Sequence, residues 1–195
     1  MAAFLKDFPD VRIELDLSDR LSALATEGYD LAIRHTARPP DTHVAWALCA
    51  TESVLVATRA YIRQHGEPQT PGELQTHNCL HYPRSQDTPA WTFEPREPSA
   101  TGERITVPVS GRFAANNSEA LREAALTGAG IALLPDFSAQ AELRKGHLVR
   151  VLPGWKPVGA FAETIYAIRP YAPHVPRAVA ALVAHLRAGL VQGFG

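Results

Sequence analysis

Sulfur is scarce in this 195-residue chain, which has two cysteines, Cys49 and Cys79, and one methionine. Two cysteines make no disulfide framework, so a reducing cytoplasm is the expected location. Neither sign of charge is in excess: Lys plus Arg number 19, Asp plus Glu 20. Gripping nucleic acid by phosphate contacts needs a clear cationic surplus, so this chain is not expected to hold DNA by itself. Long apolar runs are missing too. Without about 18 consecutive apolar residues no membrane-spanning helix is expected. The start, MAAFLKDFPD, lacks the basic-then-apolar pattern of a secretory signal. There is no G-x-S-x-G elbow, P-loop or H-E-x-x-H, and Gly128-Ala-Gly130 lacks the third glycine of a dinucleotide fingerprint. No catalytic constellation, metal centre or cofactor is therefore expected.

What is present is ordinary for a globular domain: 46% hydrophobic and 20% charged residues, with 16 prolines scattered as stops. Val11, Ile13, Leu15 and Leu17 alternate with polar residues and predict a half-buried strand. A helix over 18–27 follows, capped by Ser18 and ended by Gly28. Short apolar runs predict strands at 30–33, 44–48, 53–57, 131–134, 148–152 and 163–168, with further strands at 79–82, 91–93 and 105–109. Thr58 caps a helix ended by Gly66. Thr70, Pro71 and Glu73 predict a helix start with a capping box, and Asn116 with Glu119 predicts another. Helices over 137–146 and from Pro176 complete the reading. Strands alternating with helices indicate α/β units and a largely parallel sheet. The stretch 88–103, rich in proline and charge, is the candidate loop.

Three groups of residues carry possible chemistry. His77, Cys79 and His81 share one face if 77–81 is extended, as a metal site would need. Structural zinc takes four ligands and no fourth is near, so a buried cysteine flanked by polar histidines is the preferred reading. Redox sensing by a cysteine lacks the basic neighbour that would form a thiolate. Asn116, Asn117 and Ser118 open a helix whose free N–H groups suit an anion or polar oxygen; simple capping is the alternative. Arg34, His35 and Thr36 lie where a strand gives way to a loop, the edge at which open α/β sheets bind ligands. A solvated arginine paired with an acid is the alternative there.

The order and spacing of several segments resemble the effector-binding domain of LysR-type transcriptional regulators. They are Phe8-Pro-Asp-Val11 with Glu14-Leu-Asp-Leu17; Gly28-Tyr-Asp-Leu-Ala-Ile-Arg34; Leu55-Val-Ala57 with Ala60-Tyr61; His65-Gly66 with Pro68, Thr70 and Pro71; His77-Asn-Cys-Leu80; Trp91-Thr-Phe93; Asn116-Asn117; Gly128-Ala-Gly-Ile-Ala-Leu-Leu-Pro135; and Leu148-Val-Arg-Val-Leu152. The resemblance implies an α/β, two-lobe fold like a type-2 periplasmic binding protein, each lobe a mixed sheet flanked by helices. Lobe one would be 1–56 plus 165–195 and lobe two 57–164, with crossover strands near 54–58 and 164–168.

The implied function is sensing of a small polar or anionic effector between the lobes, without catalysis or cofactor. Effector-binding candidates are Arg34, His35, Thr36, Asn116, Asn117, Ser118 and Pro135. Promoter DNA would be read only through a helix-turn-helix outside this chain. A free-standing solute-binding protein of the same fold is the alternative function. The resemblance also implies a homodimer or higher homo-oligomer, with helices 18–27 and 58–65, carrying Leu24, Ala25, Tyr61 and Ile62, as candidate contact elements; core packing is the alternative for some of these residues. Finally, it implies a strand and part of a helix ahead of Phe4, the strand lying between 11–17 and 30–33. Without it, 11–17 should be displaced, pair directly with 30–33, or be completed by a neighbouring molecule.

Overall fold

The computed structural model describes residues 2–17, 28–83, 89–97, 104–191 and 193–194. The chain divides into two compact units. One comprises Met1–Ala50 with Ala162–Gly193, the other Thr51–Phe161 with Phe194.

The first unit holds helix α1 (Ala2–Asp7), strands β1 (Ala32–His35), β2 (His43–Ala50) and β10 (Thr164–Pro170), and helix α5 (Arg177–Gly189). Its sheet has the order β1-β10-β2, both ladders antiparallel. The late strand β10 is central, and its Ile165, Ala167 and Ile168 are buried. Helix α5 buries Val179 and Val183, four residues apart and so on one face. Phe4 is fully buried, its ring 4.6 Å from Phe8 and 5.3 Å from His185 of α5.

The second unit holds the mixed sheet β4-β7-β3-β8, built from β3 (Ser53–Ala57), β4 (Cys79–Leu80), β7 (Ile131–Pro135) and β8 (Val149–Arg150). A second sheet, β6-β5-β9, is antiparallel and built from β5 (Ala90–Pro95), β6 (Ile105–Pro108) and β9 (Trp155–Val158). Helices α2 (Arg59–His65), α3 (Ser118–Leu126) and α4 (Asp136–Lys145) complete it, with a 3-10 turn at Pro71–Thr76. Every residue of β3 and β7 is buried, which is why both read as unbroken apolar runs. One core lies around Leu55, Phe93, Ile131 and Val151, another around Val56, Leu121, Leu134 and Leu148.

Several expectations are corrected. Residues 11–17 form no strand. Their alternation is real, but a strand needs a hydrogen-bonded neighbour, and Leu15 and Leu17 are 64% and 84% exposed. Direct pairing of 11–17 with 30–33 is therefore not the outcome. The helix over 18–27 lies outside the described residues. Strand 30–33 is β1, two residues later. The sheets are not largely parallel: only β4 and β7 pair in parallel among the named strands. Alternating elements suggested crossovers, but β10 returns between β1 and β2, and β5 pairs antiparallel with both β6 and β9.

Pro71 opens a 3-10 turn rather than an α-helix, and Thr70 makes no side-chain cap. Its hydroxyl instead donates to Glu73 Oε1 at 3.0 Å, while Glu73 Oε2 accepts the Gln69 N–H at 3.0 Å. Strand β9 had no sequence signal because Pro157 interrupts it. Proline is tolerated there because β9 is an edge. Part of the candidate loop 88–103 is β5. Tyr61 is buried in the core, the core-packing alternative for that residue.

Candidate functional site

In the first unit, Arg34, His35 and Thr36 are half-buried at the end of β1. The ladder sets Arg34 opposite Tyr166 and His35 opposite Ile165 of β10. Adjacent strand residues point to opposite faces, so Arg34 and His35 cannot serve one ligand from one face of the sheet. His35 Nε2 donates to the Ala162 carbonyl at 2.6 Å. That bond fixes its tautomer and holds the strand end against the start of β10. The Thr36 N–H donates to Thr164 O at 3.3 Å, and its hydroxyl to Arg38 O at 3.1 Å. His35 and Thr36 thus have structural duties.

In the second unit, Asn117 rather than Asn116 is the cap of α3: its Oδ1 accepts the Ala120 N–H at 3.0 Å. The expected box was one residue early. Asn116 is exposed. Ser118, the first helical residue, accepts a hydrogen bond at 2.8 Å from the hydroxyl of Ser138 on α4. Ser138 is 1% exposed and Ser118 half-buried, so the donor side of this bond is the buried one. With an oxygen lone pair occupied, the Ser118 hydroxyl is left to turn its own proton toward an acceptor. Pro135 is buried at the end of β7, opposite Ser53, and leads into α4. At the start of α4 the Phe137 N–H donates to Asp136 Oδ1 at 2.8 Å.

Residues that sequence reasoning missed hold this region. Glu52 accepts from Arg96 at 3.0 Å through Oε2 and from Arg150 at 2.9 Å through Oε1. Its backbone carbonyl takes the Asp136 N–H at 2.8 Å. Burial pushes the Glu52 carboxyl up, but the two arginine bonds outweigh it and hold the group below the usual range. Nothing in the local sequence announces this, because the three partners are far apart in the chain. Ser138 did leave a signal: a lone hydroxyl just after an apolar strand, beside buried Ala139.

The histidine–cysteine group does not converge. His77 Nδ1 lies 3.2 Å from Tyr61 Oη, and the Cys79 thiol donates to Leu74 O at 3.4 Å. His81 Nδ1 donates to the carbonyl of Cys79 at 3.1 Å. Among the described residues no three His, Cys, Asp or Glu side chains are grouped to hold a metal. Burial pushes the Cys79 thiol up to about 12, the opposite of a reactive thiolate. Among the described residues no helix is long and apolar enough to cross a membrane.

Comparison with known proteins gives one consistent family. The model for the LysR substrate binding domain matches residues 1–191. The chain is 37% identical over 188 residues to the HTH-type transcriptional regulator PtxR of Pseudomonas aeruginosa, covering 95% of this chain and 57% of that protein. It is 33% identical over 186 residues to the probable HTH-type transcriptional regulator LtrA of Klebsiella pneumoniae, covering 95% and 59%. The chain thus spans less than two thirds of these relatives' length. Among solved structures, the CrgA regulatory domain of Neisseria meningitidis superposes with TM-score 0.80 at 26% identity, covering 97% of this chain and 89% of that one. Full-length AphB of Vibrio cholerae superposes with TM-score 0.78 at 27% identity, covering 96% and 61%. The fold is that of these regulatory domains, the type-2 periplasmic-binding-protein-like α/β fold.

Proposed function

The chain belongs to the LysR substrate-binding-domain family, and from that premise we propose that it senses a small polar or anionic effector for a transcription regulator. The carrying observation is the family match across 1–191, with relatives of that length share named as regulators. The family is one of regulators, not an enzyme class. In this reading two lobes close on the effector and signal to a DNA-binding domain outside the chain. The lobes of the resemblance, 1–56 plus 165–195 and 57–164, are taken here with boundaries at 50/51 and 161/162. That shift follows the compact units.

Arg34 supplies the positive charge from one lobe, and Asn116 and the Ser118 hydroxyl supply polar contacts from the other. Asn117, Ser138 and Pro135 position them, and His35 and Thr36 hold the β1 end. Support for an acceptor-bearing ligand comes from the donor character of this set: a guanidinium, a helix start and a hydroxyl whose lone pair is already used. The protein would work in the cytoplasm as a homo-oligomer.

The test is calorimetric titration of this chain with a panel of small carboxylates and of uncharged polar compounds. Binding of a carboxylate that weakens at least about tenfold in Arg34→Ala plus Asn116→Ala is expected. Equal affinity of the double variant for every compound bound would remove these residues from the site.

A further inference from the structure

The chain that leaves α5 is shaped by its own bonds. Leu190 N–H donates to Leu186 O at 3.0 Å, and Gly193 N–H donates to Leu190 O at 2.9 Å. Gly193 has φ of 71°, a left-handed conformation that glycine adopts without strain, and it turns the chain out of the helix line. The next residue, Phe194, is half-buried. It is held at two points of α4. Its ring lies 5.4 Å from that of Phe137, at 48°, within the range in which aromatic pairs attract. Its carbonyl accepts from Arg144 Nη1 at 3.2 Å. Phe137 and Arg144 lie two helical turns apart and so share one face of α4.

Gly193 is counted with the first compact unit and Phe194 with the second. The chain therefore passes from one unit to the other at 50/51, at 161/162 and at 193/194. The first two passages are backbone that leads on into the body of a unit. The third is fastened by one ring and one carbonyl, so it can open and close without unfolding either unit. It also lies outside residues 1–191, the extent of the family match, so the shared fold does not require it. Units of one chain move relative to each other unless a further contact resists that motion.

We propose that residues 193–194 are a strap that fastens α5 to α4 and restrains independent motion of the two units. When the strap is closed, Phe194 covers Phe137 and its carbonyl holds Arg144. When it is open, the ring is released to water and only the links at 50/51 and 161/162 remain. The strap stands on contacts of this chain with itself and does not depend on the effector reading.

The experiment is NMR spectroscopy of the isotope-labelled chain, aligned weakly in a dilute liquid crystal. Nuclear Overhauser contacts between the Phe137 and Phe194 rings are expected. Residual dipolar couplings from β1, β2 and β10 should give an alignment tensor of the same magnitude as those from β3, β7 and α3. Phe194→Ala should abolish that equality while each unit keeps its own fold. Phe194→Tyr, which retains the ring, should preserve it. Arg144→Ala, an exposed change that removes the donor to the carbonyl, should act in the same direction as Phe194→Ala and decides the matter if that variant does not fold. Absence of ring-to-ring contacts, or unequal magnitudes in the unaltered chain, overturns the proposal. So do equal magnitudes in both alanine variants, because packing that served α4 alone would leave the units' common alignment untouched.

Discussion

The hydroxyl of Tyr61 accepts the backbone N–H of Asn78 at 3.0 Å. Its own proton is then left for His77 Nδ1, 3.2 Å away. Asn78 is a junction in turn. Its Oδ1 accepts the Arg112 N–H at 2.8 Å and its backbone carbonyl the Ile131 N–H at 2.9 Å. One phenol therefore ties α2 to the short strand β4 and, through it, to β7.

Removing that oxygen should be costly. Tyr61→Phe keeps the ring but leaves the Asn78 N–H and His77 without their partner. Destabilisation of about 1–3 kcal/mol is expected. Urea unfolding, with the slope unchanged and the midpoint lowered, is the check; a midpoint equal to that of the unaltered chain would show the bond is worth nothing.

The same contact makes stability depend on pH. Burial, then the charge of His65, pulls His77 below its ordinary value of 6.5, while Glu73 pulls the other way. The folded chain thus favours neutral His77, as acceptance from Tyr61 requires. This contribution is fully present above the unfolded value of 6.5 and is lost as pH falls below it toward the lower folded value. His77→Gln retains an acceptor and cannot titrate. Its melting temperature should fall less between neutral and mildly acid pH than that of the unaltered chain. Parallel curves would refute the assignment.

Two glycines are fixed by close backbone approach. A Cβ on Gly130 would stand 2.1 Å from Asn78 O, and one on Gly111 would stand 2.0 Å from Cys79 O. The Asn78 carbonyl accepts the Ile131 N–H and cannot yield without loosening β4 from β7. Gly130→Ala should cost about 3 kcal/mol. Gly154→Ala, where nothing lies within 4 Å, should stay within about 0.5 kcal/mol. Similar unfolding midpoints for the two variants would contradict this account.

Capping separates the adjacent asparagines. Asn117→Ala removes the Ala120 partner and should cost about 1 kcal/mol. Asn116→Ala should stay within about 0.5 kcal/mol. Denaturant unfolding of both variants decides between the cap seen here and the one predicted from sequence.

What was legible followed from local rules. Thr58 and Gly66 bound α2 as their residue types demand: the Thr58 hydroxyl accepts the Tyr61 N–H at 3.1 Å, and Gly66 has φ of 86°. Buried β3 and β7 were legible from apolar runs. Partnership was not. Pro157 hid β9, and no local pattern joins Glu52 to Arg96 and Arg150. Arg34 and His35 looked like a pair until the ladder set them on opposite faces. The family resemblance supplied the fold, while the bond from Ser138 to Ser118 emerged only in three dimensions.

Residues 11–17 give the last prediction. Their alternation has the form of a strand, yet among the described residues Val11 alone of them donates its backbone N–H to another backbone group, to Phe8 O at 3.1 Å. Tyr29 Oη donates to Asp16 Oδ2, a side-chain contact that protects no amide. Ile131 to Leu134 differ in kind. They lie in β7, paired on one edge with β3 and on the other with β4, and all four are buried. Exchange of an amide with solvent requires breaking its bond, so protection should track these ladders. The amides of 12–17 should exchange at close to unprotected rates. Those of Ala32 to His35, held on one side by β10, should be intermediate, and those of 131–134 slowest. Hydrogen exchange followed by mass spectrometry or by NMR resolves the three groups. Strong protection of 12–17, equal to that of 131–134, would mean that this segment pairs in solution and that its alternation reports a true strand.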